Sequence, residues 1–401
     1  MFNAKFEDGT IISMIDDWRI DELRELRNKR KFYCPVCNSL VQLKLGVKKL
    51  WHFAHKANVN CDESLERESM YHLKGKKRLY HWLQNQGIEV ALECYLPIIR
   101  QRPDLLFRYN KILYAIEFQC SPINLTLFEK RTRGYQEIGI VPIWILGGNR
   151  VKRHGPKTFT IKSFEWLSCQ KSTNQLHQLI YYCPERDCFA RLNQITPYTS
   201  IKSLASYREI PLLKTPVDFI VKPDTQRSFN LFEQWLVIRK HWRYQFLTPY
   251  PVKAEKMIRN VLYKYNVPVS LFPLEAGWPT DYHYLISTPT HYWQLYLLFE
   301  CLLQQSIHQP FSRNLVIQSL FPHIHNNIFP LRQMLEGRSW TLAIDGYLSF
   351  LVQIGFLMKD PESRGEYQRI RNIEISPSIE KAIEKDQSLK LKHHSKQSRL
   401  H

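Results

Sequence analysis

Apolar residues across positions 64–86 recur at helical spacing, at Leu65, Leu73, Tyr80 and Leu83, and the run stops at Gly87. That pattern predicts a helix. Residues 88–96 alternate as a strand does, and two more short strands are expected at 102–107 and 112–120. Residues 124–138 read as a second helix, opened by Asn124 as its N-cap. Residues 141–146 are continuously apolar, the mark of a buried strand. Helix, strand, strand, strand, helix, strand is the order of an α/β (α+β) core, placed at 63–150.

The flanks follow other patterns. Residues 6–14 suggest a short hairpin, 21–30 a helix or exposed linker, and 32–55 two short strands around a turn. Residues 1–62 are thus expected to be a small separate module. From 160 to 385 the pattern turns mostly helical with proline breaks, as in 292–305 and 314–321. Residues 341–357 read as a helix with Gly355 near its stop, and 365–375 as a strand, which hints at a winged helix near the end of this region. Residues 380–401 are polar and basic and are expected to form a frayed helix and a disordered tail, the tail placed at 386–401.

Charge narrows the function classes. The 401 residues carry 56 Lys and Arg against 37 Asp and Glu, a formal net charge of +19. Such a balance calls for an acidic partner, nucleic acid or a membrane surface, and argues against a typical metabolic enzyme. There is no apolar run long enough for a membrane span and no signal-peptide core at the N-terminus. A cytoplasmic location is therefore expected. There the 9 cysteines would stay reduced, and paired ones suggest metal before disulfide.

Cys34 and Cys37 form a C-x2-C knuckle, followed by His52 and His55. Two thiolates and two imidazoles complete a tetrahedral shell, so a structural Zn²⁺ is expected on Cys34, Cys37, His52 and His55, with Cys61 as an alternative to one histidine. The competing reading is a buried cysteine pair with two surface histidines. Cys183 and Cys188 lack a partner pair and read as buried cysteines.

Acidic residues supply a second candidate site. Asp104 follows Arg102-Pro103 at the start of a short strand, and Glu117 and Gln119 share one face of the next. A carboxylate and an amide inside a buried strand are costly unless they bind something. Hard oxygen donors on adjacent strands suit Mg²⁺ or Mn²⁺, here through Asp104 and Glu117. On the first helix Glu68, His72 and Lys76 share a face, as Arg131 and Tyr135 do on the second. These residues are placed to hold a metal, a scissile phosphate or the strand carboxylates. For each helix the alternative is an exposed, salt-bridged face.

Asp104…Glu117-x-Gln119 over this order of elements resembles the PD-(D/E)xK nuclease superfamily, with Gln119 where a lysine is usual. More of the chain resembles the CoiA competence protein family. The resemblance rests on Tyr33-Cys34-Pro35-Val36-Cys37, His52-Phe53-Ala54-His55, Glu68-Ser69-x-x-His72-x3-Lys76, Arg102-Pro103-Asp104 and Glu117-Phe118-Gln119-Cys120-Ser121-Pro122-Ile123. Arg131-x3-Tyr135 and Ile143-Trp144-Ile145-Leu146-Gly147 complete it. It implies a restriction-endonuclease-like αβββαβ core, a zinc-ribbon-like N-terminal module and a mostly helical C-terminal region. It also implies a role in natural transformation, on imported single-stranded or branched DNA. Gln119 is usual in that family. Asp104, Glu117, Gln119, Glu68, His72 and Lys76 become the candidate catalytic residues, and Arg102, Arg131 and Tyr135 the candidate DNA contacts.

Three functions stay open. One is a metal-dependent DNA nuclease or a DNA-processing factor derived from one. Another is a catalytically weak or inactive DNA-binding adaptor that loads recombination proteins such as a RecA-type recombinase. The third is an RNA-binding protein with a degenerate nuclease fold. The aromatic and basic stretch 235–244 is either a base-stacking, phosphate-binding surface or a core helix with a basic outer face.

Overall fold

The computed structural model describes the chain except at residues 47–49, 57–60, 62–68, 172–176, 225–229, 246–250, 336, 361–364 and 398–401, and except for the side chains of 171 and 390–397. The chain divides into two compact units. The first holds 1–156, 167–193 and 206–225; the second holds 157–166, 194–205 and 226–401.

The first unit begins with β1 (Asn3–Lys5), β2 (Ile11–Ser13), α1 (Ile20–Lys29), β3 (Phe32–Tyr33), β4 (Leu40–Lys44) and β5 (His52–His55). The strands form one antiparallel sheet in the order β2-β1-β3-β4-β5. Strand β4 alternates as its sequence demands, with Val41 and Leu43 inward and Leu40, Gln42 and Lys44 outward.

Next come α2 (Met70–Gln84), β6 (Val90–Leu92), β7 (Leu105–Tyr109), β8 (Ile112–Gln119), α3 (Leu125–Glu137) and β9 (Ile140–Gly147). This is the predicted order. Strands β6, β7 and β8 form an antiparallel meander. The crossover through α3 brings β9 parallel to β8. Asn124 caps α3, its Oδ1 accepting from Leu127 N at 2.8 Å. Strand β6 is shorter than expected because Glu93 takes a left-handed φ of 47° and ends it.

The sheet then runs on past residue 150, where helices were expected. The following elements are β10 (Lys152–Arg153), β11 (Thr158–Thr160), α4 (Ser163–Leu167), β12 (Gln170–Lys171), β13 (His177–Cys183), β14 (Cys188–Pro197), β15 (Lys202–Pro211) and α5 (Asp218–Val221). Strand β13 lies parallel to β9, and the order continues β15-β14-β13-β9-β8-β7-β6. Every residue of β14 is buried. A strand covered on both faces shows no alternation, so periodicity misses it. Cys183 and Cys188 face each other across the β13–β14 hairpin.

The second unit is mostly helical: α6 (Leu231–Tyr244), α7 (Lys253–Lys264), α8 (Thr290–Glu300), α9 (Arg313–His325), α10 (Thr341–Gln353) and α11 (Ile379–Gln397). Strands β16 (Pro310–Ser312), β17 (Leu357–Lys359) and β18 (Glu366–Arg369) pair in the order β16-β18-β17. Helix α10 and the β17–β18 hairpin follow one another as anticipated. However, α10 is buried over most of its length and carries no Lys or Arg, so it offers no cationic face to DNA.

Two expectations change here. Helix α6 covers the aromatic and basic stretch, but Arg239 and Arg243 point inward, 0% and 1% exposed, and grip Asp386 of α11. Arg239 donates to Asp386 Oδ1 at 2.8 Å, and Arg243 donates to both oxygens at 2.8 and 2.9 Å. Residues 386–397 are therefore helix and not tail, because Asp386 and Leu389 are buried anchors. Burial pushes the Asp386 carboxyl up, but the two guanidinium groups outweigh it and its pKa is lowered. The stabilisation it gives is thus complete above the ordinary carboxylate range and is lost only as pH falls through its depressed folded value. Asp386→Ala should cost about 3–5 kcal/mol, because it strands two buried cations. Hydrogen exchange of α6 amides should accelerate, while amides of β8 and β9 stay as in the wild type.

Candidate functional site

A compact set of metal ligands lies in the N-terminal module. Ligand atoms of Cys34, Cys37, His55 and Cys61 all lie within 4.8 Å of one another. The knuckle is tight: Cys34 N–H donates to Ser39 O at 2.9 Å, Asn38 N–H donates to Cys34 O at 3.1 Å, and Asn38 takes φ 58°. Three thiols and one imidazole suit tetrahedral Zn²⁺. Cys37 and His55 Nε2 are already 3.4 Å apart. Burial pushes the Cys37 thiol up, yet hydrogen bonds from Ser39, Cys61 and Cys34 prevail and lower its pKa. His52 is not in the set; its Nδ1 donates to Leu50 O at 2.9 Å. The reason is geometric. His52 and His55 sit three apart on strand β5, and odd spacing on a strand turns side chains to opposite faces. Cys61 takes the place expected for His52.

A second cluster forms where α2 crosses the sheet. Gly75 allows the approach: a Cβ there would lie 2.0 Å from the Phe118 ring. Two neighbours of Gly75 on α2, His72 and Lys76, reach Asp104. His72 Nε2 is 3.1 Å from Asp104 Oδ2, and Lys76 Nζ is 3.4 Å from Oδ1. Phe118 N–H also donates to Oδ2, at 2.8 Å. Burial alone would raise the Asp104 pKa, but the fields of His72, Lys76 and Arg131 hold it well below the usual carboxylate range. Lys76 is fully buried and lies 2.5 Å from Glu93 Oε1. The other Glu93 oxygen accepts from Phe2 N at 2.9 Å and Asn3 N at 3.1 Å, with Arg102 3.7 Å away.

Glu117 lies beside this cluster. Leu105 pairs with Ile116, and extending that register by one residue sets Asp104 abreast of Glu117. Arg131 NH2 is 2.7 Å from Glu117 Oε2, and the Tyr135 hydroxyl donates to Oε1. Gln119 Nε2 donates to Ser121 O at 2.8 Å.

The structure thus brings Asp104, His72 and Lys76 together, and next to them Glu117, Arg131 and Tyr135. Glu68 lies outside the described residues. The expected DNA contacts meet a different geometry. Tyr135 is fully buried, Arg102 is 9% exposed, and Arg131 is turned onto Glu117. All three face inward because buried carboxylates need counter-charges and donors. Sequence reasoning missed Glu93. The one hint was Lys76 on the apolar side of α2, which calls for a carboxylate partner, but the sequence does not say which one.

Comparison with known proteins matches three family models in succession. They are the competence protein CoiA N-terminal domain at residues 15–64, its nuclease-like domain at 68–225 and its C-terminal domain at 232–383. The competence protein CoiA of Bacillus subtilis (strain 168) is 33% identical over 332 residues, 82% of this chain and 87% of the relative. This chain belongs to the CoiA competence protein family. No solved structure matches it. The CoiA nuclease-like segment, 68–225, includes the strands beyond 150 that continue the sheet. The CoiA N-terminal segment, 15–64, contains all four residues of the Cys/His cluster.

Two outcomes follow for this CoiA chain. Metal analysis should find about one zinc per chain; Cys61→Ser should lose it and His52→Ala should keep it. Glu93→Gln should destabilise the first unit by about 3–5 kcal/mol by stranding Lys76, and Lys76→Met in that background should recover much of the loss. Denaturant titration of wild type, Glu93→Gln, Lys76→Met and the double variant measures this coupling.

Proposed function

We propose that this CoiA chain processes single-stranded or branched DNA during natural transformation, in the cytoplasm, by hydrolysing phosphodiester bonds at the Asp104 pocket. One observation carries the reading: a fully buried lysine held against a partly open carboxylate. Asp104 is 13% exposed, whereas Lys76 behind it has no exposure. A buried ion cluster is poor value for stability alone, since apolar packing does as well. The superfamily pattern lacks its cation at Gln119, whose amide is turned to Ser121 O. Lys76 delivers a cation from α2 instead, where it would stabilise the charge that develops on an attacked phosphate. His72, held on Asp104, would carry a proton in this reading. Asp104 and Glu117, two hard oxygen donors side by side, would hold Mg²⁺ or Mn²⁺, with Glu68 as a further candidate ligand. Such an ion supplies Lewis acidity and a more acidic water. The surplus of lysine and arginine supplies affinity for phosphates.

The adaptor reading has its own observation. Both oxygens of Glu117 are taken, by Arg131 and Tyr135. Arg131 must leave Glu117 before a cation can sit there. A chain in which it never leaves binds DNA, recruits a RecA-type recombinase and cuts nothing.

The two readings diverge on one substitution. Asp104→Ala should lower Mg²⁺- or Mn²⁺-dependent cleavage of end-labelled single-stranded DNA by about 10²–10⁴-fold, typical for loss of a positioned catalytic group. Affinity for the same strand should change little, because it comes from cations on phosphates. A wild type that binds DNA and cuts none with either metal leaves the adaptor reading.

A further inference from the structure

The outer side of α2 carries a groove that the Asp104 site does not use. It has a volume of about 800 Å³ and lies between α2 and the N-terminal module. Helical spacing turns Lys74, Lys77, Arg78 and His81 away from Lys76 and into this groove. Trp18 and Trp51, both half-buried, line it from the module. Asp16 and Asp17 line it too, so the charge is mixed, with cations in excess. Arg78 is 3.6 Å from Asp187, but among the described residues neither Lys74 nor Lys77 has a carboxylate partner. Trp18 Nε1 donates to Ser13 O at 2.7 Å, which fixes the plane of that indole.

Indole faces beside unpaired lysines form a particular recognition surface. Lysines alone would take any polyanion, duplex DNA and acidic proteins included. Aromatic faces add stacking, and only unpaired bases expose a face to stack. We infer that this groove holds single-stranded DNA, with bases against Trp18 and Trp51 and phosphates on Lys74 and Lys77. The inference rests on the DNA-processing reading and extends it by assigning the substrate strand a place. Helix α2 then separates strand and Asp104 by about one helix diameter, ~10 Å. The strand lies on one side of the helix and His72 and Lys76 on the other.

Binding of a labelled oligothymidylate to the full chain across a salt series tests this. Trp51→Ala should weaken single-strand binding about tenfold with an unchanged salt slope, and leave duplex binding alone. Trp51→Phe should restore most of the loss. Joint Lys74→Ala and Lys77→Ala should instead flatten the slope of log affinity against log salt by about 1.4. The lysine variant decides the matter by itself should Trp51→Ala fail to fold. Wild-type affinity in both variants would overturn the groove while leaving DNA processing intact. A wild type that binds no nucleic acid would overturn both. Polyglutamate competition that responds to the lysines and not to Trp51 would overturn the strand assignment in favour of an acidic protein.

Discussion

A buried ammonium is tolerated only where carboxylates enclose it, and Lys76 imposes that condition on everything around it. Glu93 meets it at 2.5 Å, and the chain bends into a left-handed conformation there, ending β6. The second oxygen of Glu93 takes the amides of Phe2 and Asn3, so the same group anchors the first strand of the N-terminal module. Asp104 is the second carboxylate, and its other oxygen fastens His72 and the Phe118 amide. One charge thus fixes the helix, the end of β6, the entry to β7 and the edge of the module. Gly75 is the steric counterpart, since only a residue without Cβ lets α2 come so close to Phe118.

The same economy governs the positive charge. A formal charge of +19 suggests a surface coated with cations. Yet Lys76, Arg102, Arg239 and Arg243 are buried, matched to Glu93 or Asp386. Arg239 and Arg243 hold α6 to α11, and none of the four is on the surface. Surface cations sit elsewhere, as on the outer face of α2, where Lys74 and Lys77 meet no carboxylate among the described residues. Net charge counts the excess of cations, but burial decides which of them reach the surface.

The core's element order was legible because each segment announces itself: helical spacing before Gly87, an Asn124 cap, an apolar run at 141–146. Strands β13 and β14 were not, since burial on both faces erases alternation. The site was legible as residue types and illegible as partners. Asp104, His72, Lys76 and Glu117 could be picked out by chemistry, whereas Glu93 could not, because its role depends on a bend that no local pattern encodes. The histidine spacing misled for a related reason. Two residues three apart share a helix face and part company on a strand, so choosing between His52 and Cys61 needed the strand itself. Arg239 and Arg243 looked like outward cations until Asp386, more than a hundred residues away, came to face them.

The central claim is that Lys76 provides, from α2, the cation that position 119 lacks. Moving the charge tests it directly. Single-stranded DNA cleavage would be compared in Lys76→Gln and in the double variant Lys76→Gln with Gln119→Lys, each checked by near-ultraviolet circular dichroism for an intact first unit. The account predicts that the first variant is folded and inactive and that the second recovers part of the activity. Full cleavage by folded Lys76→Gln would contradict it.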